Sequence, residues 1–535
     1  MPAQTPNQTA QQLRRFQPRL SAAANAQKRR GAVLQHWRKI PQALRQILAR
    51  TILPHLRRGL PQKFSPVFSR ALRLLLCLLL LPPVAGAEGL PPDVRALMKK
   101  HRISPARAGI VIKRAGGEVL LSHQTDKIFN PASLAKLPLV FAAFDILGPA
   151  HKWRTVFARA GEIQDGVLRG DLIIAGGGDP YITTERFLSF VGNLRSRGIH
   201  TIEGDLIIDD TFFQFMPHDR AAFDGAAFKT YNAGGGALVV NWGAQRVAFL
   251  PEKNGVRIYA DPPNDNFIID GKKVRAGKTR CRNWRGRIIE RYRGDGLQMT
   301  LALRGKYSPR CGEQSFNTSA LDHAANAAGV FGAMWRNLGG VWNGKWKTAP
   351  RPPQAKDIAV FESPALAVIA AAMNKYSNNI MARNMFVSLS MQNGAPPHTE
   401  GAAREVFNRW MRAQNIQGEF FMDNGSGLSR KGRMSAGQLA ALMEGVLAHP
   451  MRAEITSSLP ILGVDGTLRK RLRKTAAGAG HLKTGSLRGV KNIAGFLRGA
   501  GGEDIIFICM LEKSGARAKP FQDALMKWAL RQKGL

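Results

Sequence analysis

The sequence predicts an α+β protein in which an antiparallel sheet flanked by helices is interrupted by a long β-rich inserted region. Three observations predict it. Strand-like apolar runs and helical patterns occupy the chain from 92 to 147 and return from 362 onward. Between about 155 and 350 the texture changes to short alternating strands, Gly/Pro turns and clustered arginine, as in Leu172–Pro180 and Asp205–Asp210. The chain then closes on two strands and a helix, with no repeat at solenoid spacing.

The elements follow in order. Pro92 to Lys100 reads as a short helix, and Ala108 to Lys113 with Glu118 to Ser122 reads as a hairpin turning at Arg114-Ala115-Gly116-Gly117. Residues 133 to 147 read as a helix with an apolar body through Phe141, Phe144 and Ile146. Pro138 falls in its second turn, where a missing N–H predicts a kink. Later helices are expected over Glu362 to Asn374, Ile380 to Met391, Gly401 to Gln414 and, capped by Ser435, Ser435 to Ala448. Strands follow at Asn492 to Arg498 and Asp504 to Leu511, then a helix from Pro520 to Gln532.

At 535 residues the chain exceeds one ordinary core. With 44% apolar and 21% charged residues its composition is globular, so charge is the unusual feature. Lys and Arg outnumber Asp and Glu by 78 to 37. Fifteen of those cations lie in residues 1–87, which hold no acid, so of the formal +41 the rest of the chain keeps +26. Such an excess suits a polyanion.

Ser69-Arg70-Ala71-Leu72-Arg73 leads into Leu74–Leu81 and then Ala85-Gly86-Ala87. A basic start, an apolar run of about eight residues and a small-residue cleavage site make residues 67–87 a signal peptide, since a spanning helix needs roughly 20 apolar residues. The expected location is the periplasm or another extracytoplasmic space. Residues 1–66 are then either a mis-called leader, with translation starting near Val67, or a disordered basic arm; N-terminal sequencing separates the two. The remaining division is 88–154, the insert 155–350, and 351–535. Export turns the basic surface toward anionic wall or outer-membrane polymers, with peripheral membrane contact, and away from nucleic acid. Of the cysteines left after cleavage, Cys281 and Cys311 share one polar, Arg-rich region and are expected to pair, leaving Cys509 buried and free in an apolar strand.

Three short signatures occur in order: Ser133-Leu134-Ala135-Lys136, Ser377-Asn378-Asn379 and Lys483-Thr484-Gly485. Each alone is weak, because such triplets are common on solvated helices and turns. Their order carries the signal. A serine at a helix N-terminus faces free backbone N–H groups, and a lysine three residues on shares its face and can take its proton if neutral. Burial and a second cation, Lys483, would both favour the neutral amine.

Together the three resemble the S-x-x-K, S-x-N and K-T-G set of penicillin-binding proteins and serine β-lactamases. The 243 residues between Ser133 and Ser377 leave room for an insert that β-lactamases lack, so the chain is most similar to the class C low-molecular-mass penicillin-binding proteins. Asn130-Pro131-Ala132-Ser133, Gly178-Asp179-Pro180, Asp423–Arg430, Asp465-Gly466-Thr467-Leu468 and Lys483–Leu487 match that pattern, while Leu137-Pro138 and Leu482 depart from it.

The resemblance implies a penicillin-binding catalytic domain and a D-Ala-D-Ala carboxypeptidase/endopeptidase that trims peptidoglycan stem peptides through an acyl-enzyme, with β-lactams as covalent inhibitors. Ser133 would be the nucleophile and Lys136 its base. Lys483 and Thr484 would hold the substrate's terminal carboxylate, and Gly485 would let substrate lie against the strand edge. Ser377 would pass a proton to the leaving amine and Asn379 would hold the acyl amide. The N–H groups of Ser133 and Ser486 would form an oxyanion hole, each donor worth about 10²–10³ in rate. Asp209 is the match for an acidic residue meeting the diamino acid's amine; its other reading is a capped turn.

Other chemistry finds little support. No G-x-S-x-G elbow occurs, Gly478–Thr484 fails the phosphate-loop spacing, and the histidines lack zinc-site patterns, so no metal or cofactor is implied. A β-lactamase or esterase using the same serine remains an alternative, as does a non-catalytic wall-binding module.

Overall fold

The computed structural model describes residues 90–532 except 254, 279 and 514. The expected leader (1–66) and signal peptide (67–87) lie outside the described residues. Among the described residues no helix is long and apolar enough to cross a membrane.

The run Ile505–Leu511 is apolar at every position because both faces of its strand are covered. Asp504–Glu512 is the middle of a five-stranded antiparallel sheet ordered Val119–His123, Ala108–Arg114, Asp504–Glu512, Val490–Arg498, Gly480–Leu487. Side chains alternate across a strand. Ile505, Phe507, Cys509 and Leu511 therefore pack with Ile110 and Ile112 against the helices Pro92–His101 and Ala518–Arg531. Ile506, Ile508 and Met510 face the opposite way, into a core of Phe141, Met385, Phe386, Phe407 and Trp410. That second core joins the helices Lys136–Ile146, Leu366–Tyr376, Asn379–Ser388, Glu400–Ala413 and Ala436–Ala448. Ser435 caps the last of these with a full capping box to Gln438.

The β-rich stretch builds its own sheet on the long hairpin Arg154–Gln164 and Val167–Gly176. Two helices that the strand pattern concealed, Thr184–Ser196 and His323–Asn337, pack on it around Phe187, Phe331 and Trp335. The first is capped by Thr183, and the second is rich in alanine and glycine, which blurs an amphipathic signal. Glu362 ends a strand, Lys356–Glu362, rather than opening a helix; that strand pairs with Arg154–Gln164, so this sheet draws on residues beyond 350.

Two three-stranded sheets complete the stretch. One orders Gly255–Asp261, Gln245–Glu252, Gln314–Thr318; the other orders Phe267–Ala276, Met299–Tyr307, Ile288–Gly294. Phe249, Leu301, Leu303 and Tyr307 fill the space between. Cys281 and Cys311 form a disulfide, and Cys509 is buried and unpaired.

Candidate active site

The site assembles where the helical core meets the edge strand Gly480–Leu487. Its first part is a tight turn. Ala132 takes a left-handed backbone (φ 49°), which is strained for a residue with a Cβ, and a short 3₁₀ turn Ala132–Ala135 precedes the α-helix Lys136–Ile146. Pro138 therefore lies in the first α-helical turn, where its missing N–H has no carbonyl to meet, and the expected kink is replaced by a change of helix type.

Two buried asparagines hold this turn. Asn130 Oδ1 accepts from the Ala132 N–H (2.9 Å), and Asn492 Nδ2 donates to the carbonyls of Asn130 (2.8 Å) and Pro131 (3.0 Å). The other end of the Asn492 amide accepts from the Leu511 N–H (3.0 Å), which ties the turn to the sheet. Gly485 matters for the same reason. A Cβ there would stand 2.7 Å from the Pro131 carbonyl oxygen, so the edge strand can touch the serine turn only without a side chain.

Lys136 is fully buried, and its Nζ reaches Ser133 Oγ (3.2 Å), Asn379 Oδ1 (3.0 Å) and the Ser426 carbonyl. Burial holds its amine well below the usual ammonium range, and the cations of Lys483 and Arg383 push the same way. A neutral amine has two N–H bonds and one lone pair. The two carbonyl oxygens, of Asn379 and Ser426, can take both N–H groups, which leaves the lone pair for the Ser133 hydroxyl.

Ser377 and Asn379 sit at a corner between two helices. Ser377 ends Leu366–Tyr376 in a left-handed conformation (φ 57°), and Asn378 caps Asn379–Ser388 by accepting from Ile380 and Met381. The corner is a helix–helix turn and also delivers two polar side chains to two lysines. Lys483, fully buried, donates to Ser377 Oγ (2.8 Å) and to the Thr484 carbonyl (2.9 Å). Burial lowers its pKa to about 7. The hydroxyls of Thr484 and Thr467 are 3.0 Å apart. Ser133 is partly accessible and Ser486 exposed, so a ligand can reach this edge.

Thus Ser133, Lys136 and Asn379 are joined by hydrogen bonds, as are Ser377, Lys483 and Thr484. Asp209 is engaged elsewhere: its carboxylate accepts from the Thr211 N–H (3.0 Å) and hydroxyl (2.6 Å) and from the Arg351 N–H (2.9 Å). That is the capped-turn reading. Sequence reasoning missed the Ser426 carbonyl, Asn492 and Arg383. Ser426 stood inside a noted stretch, Asp423–Arg430, but a backbone acceptor leaves no mark in residue type.

A serine paired with a buried, proton-poor lysine, beside a second lysine on an antiparallel edge strand, defines the penicillin-binding class of serine acyl-enzymes. Within that class residues 90–532 match the D-Ala-D-Ala carboxypeptidase 3 (S13) family, and the chain belongs to that family. It is similar to the D-alanyl-D-alanine carboxypeptidase of an Actinomadura species, 26% identical over 479 residues, covering 83% of this chain and 86% of the relative. It is also 26% identical over 407 residues to the Haemophilus influenzae D-alanyl-D-alanine carboxypeptidase, covering 75% and 82% of the two chains. The fold matches the crystal structure of penicillin binding protein 4 from Haemophilus influenzae with a TM-score of 0.68 at 23% identity, covering 83% of this chain and all of the other. The chain is a serine-type D-Ala-D-Ala carboxypeptidase/endopeptidase.

Proposed function

We propose that the enzyme acts outside the cytoplasm, in the periplasm, on peptidoglycan stem peptides. Ser133 attacks the carbonyl of the penultimate D-alanine while neutral Lys136 takes the hydroxyl proton. The Ser133 and Ser486 N–H groups face the oxyanion. Lys483, charged, grips the carboxylate of the departing residue with Thr484, and Ser377 passes a proton to the leaving amine. Asn379 holds the acyl amide. Water then releases the peptide and restores Ser133. The observation that carries this reading is the pair of carbonyl oxygens, of Asn379 and Ser426, that can take both N–H groups of a neutral Lys136 and leave its lone pair for the Ser133 hydroxyl 3.2 Å away.

Carboxypeptidase and endopeptidase action share this acyl-enzyme and differ in the leaving amine. β-Lactams present a carboxylate and a strained amide to the same groups and would acylate Ser133; the Haemophilus influenzae structure has also been solved with a β-lactam. Residues 155–350 we read as an insert in a catalytic domain built from 88–154 and 351–535, supported by the sheet that draws strands from both flanks. Labelled penicillin followed by intact mass and peptide mapping tests the assignment. A single adduct on the Ser133 peptide, absent in Ser133→Ala, is expected; an adduct on another serine overturns it.

A further inference from the structure

One face of the sheet Phe267–Ala276, Met299–Tyr307, Ile288–Gly294 is turned to solvent, and its chemistry is unusual. The inner face carries Met299, Leu301 and Leu303 into the core. On the outer face Lys273 stands opposite Arg304 and Arg275 opposite Lys306. Across the other ladder Arg291 stands opposite Ala302 and Arg293 opposite Thr300. All six cations are exposed, and none forms an ion pair among the described residues. Like charges placed directly opposite on a sheet destabilise it by up to about 1 kcal/mol per pair. Such a pattern persists when something outside the fold uses it.

Asp270 is the one carboxylate on this face, and the remaining positions include Ile268 and Ile289, 54% and 52% exposed, set among the cations. Three arginines of the neighbouring elements do find partners: Arg285 pairs with Glu290, Arg246 with Asp261 and Glu313, and Arg336 with Asp265. What sets this surface apart is that its unpaired cations share one sheet face, two pairs of them directly opposite each other. Adjacent strands lie about 4.8 Å apart and same-face residues along a strand about 6.7 Å apart, so the six charges form a two-dimensional array rather than a single row. A narrow polymer would run along one row of such an array. A plane of phosphate headgroups meets all of it at once, and the two isoleucines can then enter the headgroup layer.

We propose that this outer sheet face is a docking surface for an anionic phospholipid layer, which holds the enzyme against a membrane. The cations supply attraction to phosphate, and Ile268 and Ile289 supply shallow apolar contact. The inference is independent of the chemistry at Ser133.

The test is co-sedimentation of the protein with vesicles of one third phosphatidylglycerol in phosphatidylcholine. Three forms of the same chain with the same N-terminus are compared: the parent, a sheet variant (Lys273→Gln, Arg275→Gln, Arg304→Gln, Lys306→Gln) and a charge-matched variant elsewhere (Lys99→Gln, Arg169→Gln, Arg197→Gln, Arg412→Gln). Melting curves and circular dichroism verify that each is folded. The parent and the charge-matched variant should bind alike, in a salt-sensitive way and far better than to pure phosphatidylcholine. Membrane-surface attraction of several-fold per cation predicts a loss of about 100-fold or more for the sheet variant. Equal loss in the two variants would reduce the effect to net charge and overturn the proposal. So would unaltered binding by the sheet variant, or capture of the parent by purified wall sacculi but not by the anionic vesicles.

Discussion

Lys483→Met should make the protein more stable at pH 7 while abolishing its activity. Burial lowers the Lys483 pKa from 10.5 to about 7 in the folded chain. Between those two values the unfolded chain binds the proton that the folded chain resists, so stability rises with pH across this window. At about 1.4 kcal/mol per tenfold change in proton affinity, the folded state loses roughly 4 kcal/mol at pH 7 and about 1 kcal/mol at pH 9.5. Methionine fills similar space without charge. It forfeits the hydrogen bonds to Ser377 Oγ and the Thr484 carbonyl, worth about 1 kcal/mol each. The net expectation is a gain of about 2 kcal/mol at pH 7 that shrinks by about 3 kcal/mol, to a small loss, by pH 9.5. Urea unfolding of parent and variant at both pH values measures it, and the comparison cancels every titrating group that does not feel the Lys483 charge. A variant less stable than the parent at pH 7, or a difference unchanged between the two pH values, would refute a buried lysine that withholds stability in exchange for a cation at the substrate edge.

The pH dependence of kcat/KM on peptides ending in D-Ala-D-Ala should be bell-shaped, because Lys136 must lose its proton and Lys483 must keep one. Its alkaline limb should lie near pH 7 and move outward in Lys483→Arg, whose guanidinium stays charged. Arg383→Met removes a buried cation that disfavours the Lys136 proton, so the acid limb should move to higher pH, with activity lost most on the acid side of the profile. An unmoved limb would mean that Arg383 acts by packing alone. Asn492→Ala deletes three buried hydrogen bonds around the serine turn and should cost about 2–3 kcal/mol in denaturant unfolding, with slower acylation of Ser133 by labelled penicillin.

Much of this protein was legible before any coordinates. The apolar run Ile505–Leu511 implied a strand with Cys509 buried in it, and Ser435 implied a capped helix start. These are local signals, in which a few neighbouring residues contain the physics. The two helices Thr184–Ser196 and His323–Asn337 escaped because they lie amid strands and turns, and the second is alanine- and glycine-rich with a weak apolar stripe. Pro138 was misplaced by a single turn, since sequence cannot distinguish a 3₁₀ lead-in from an α-helical start when both present the same residues.

At the site the division is sharper. Sequence by itself determined which groups were available: a hydroxyl and an amine three residues apart, two polar residues at a helix corner, and a lysine before a glycine on a strand. It also determined a polypeptide far more basic than it needs to be to fold. Only the tertiary structure decided that Lys136 loses its water, that the Ser426 carbonyl and Asn379 take its N–H groups, and that Arg383 adds a repelling charge. It likewise decided that six cations share one unpaired face and that the Asp209 carboxylate is spent on a turn. The reason is physical. Proton affinity and charge pairing depend on what lies within a few ångströms, and those neighbours come from segments tens to hundreds of residues apart in the chain.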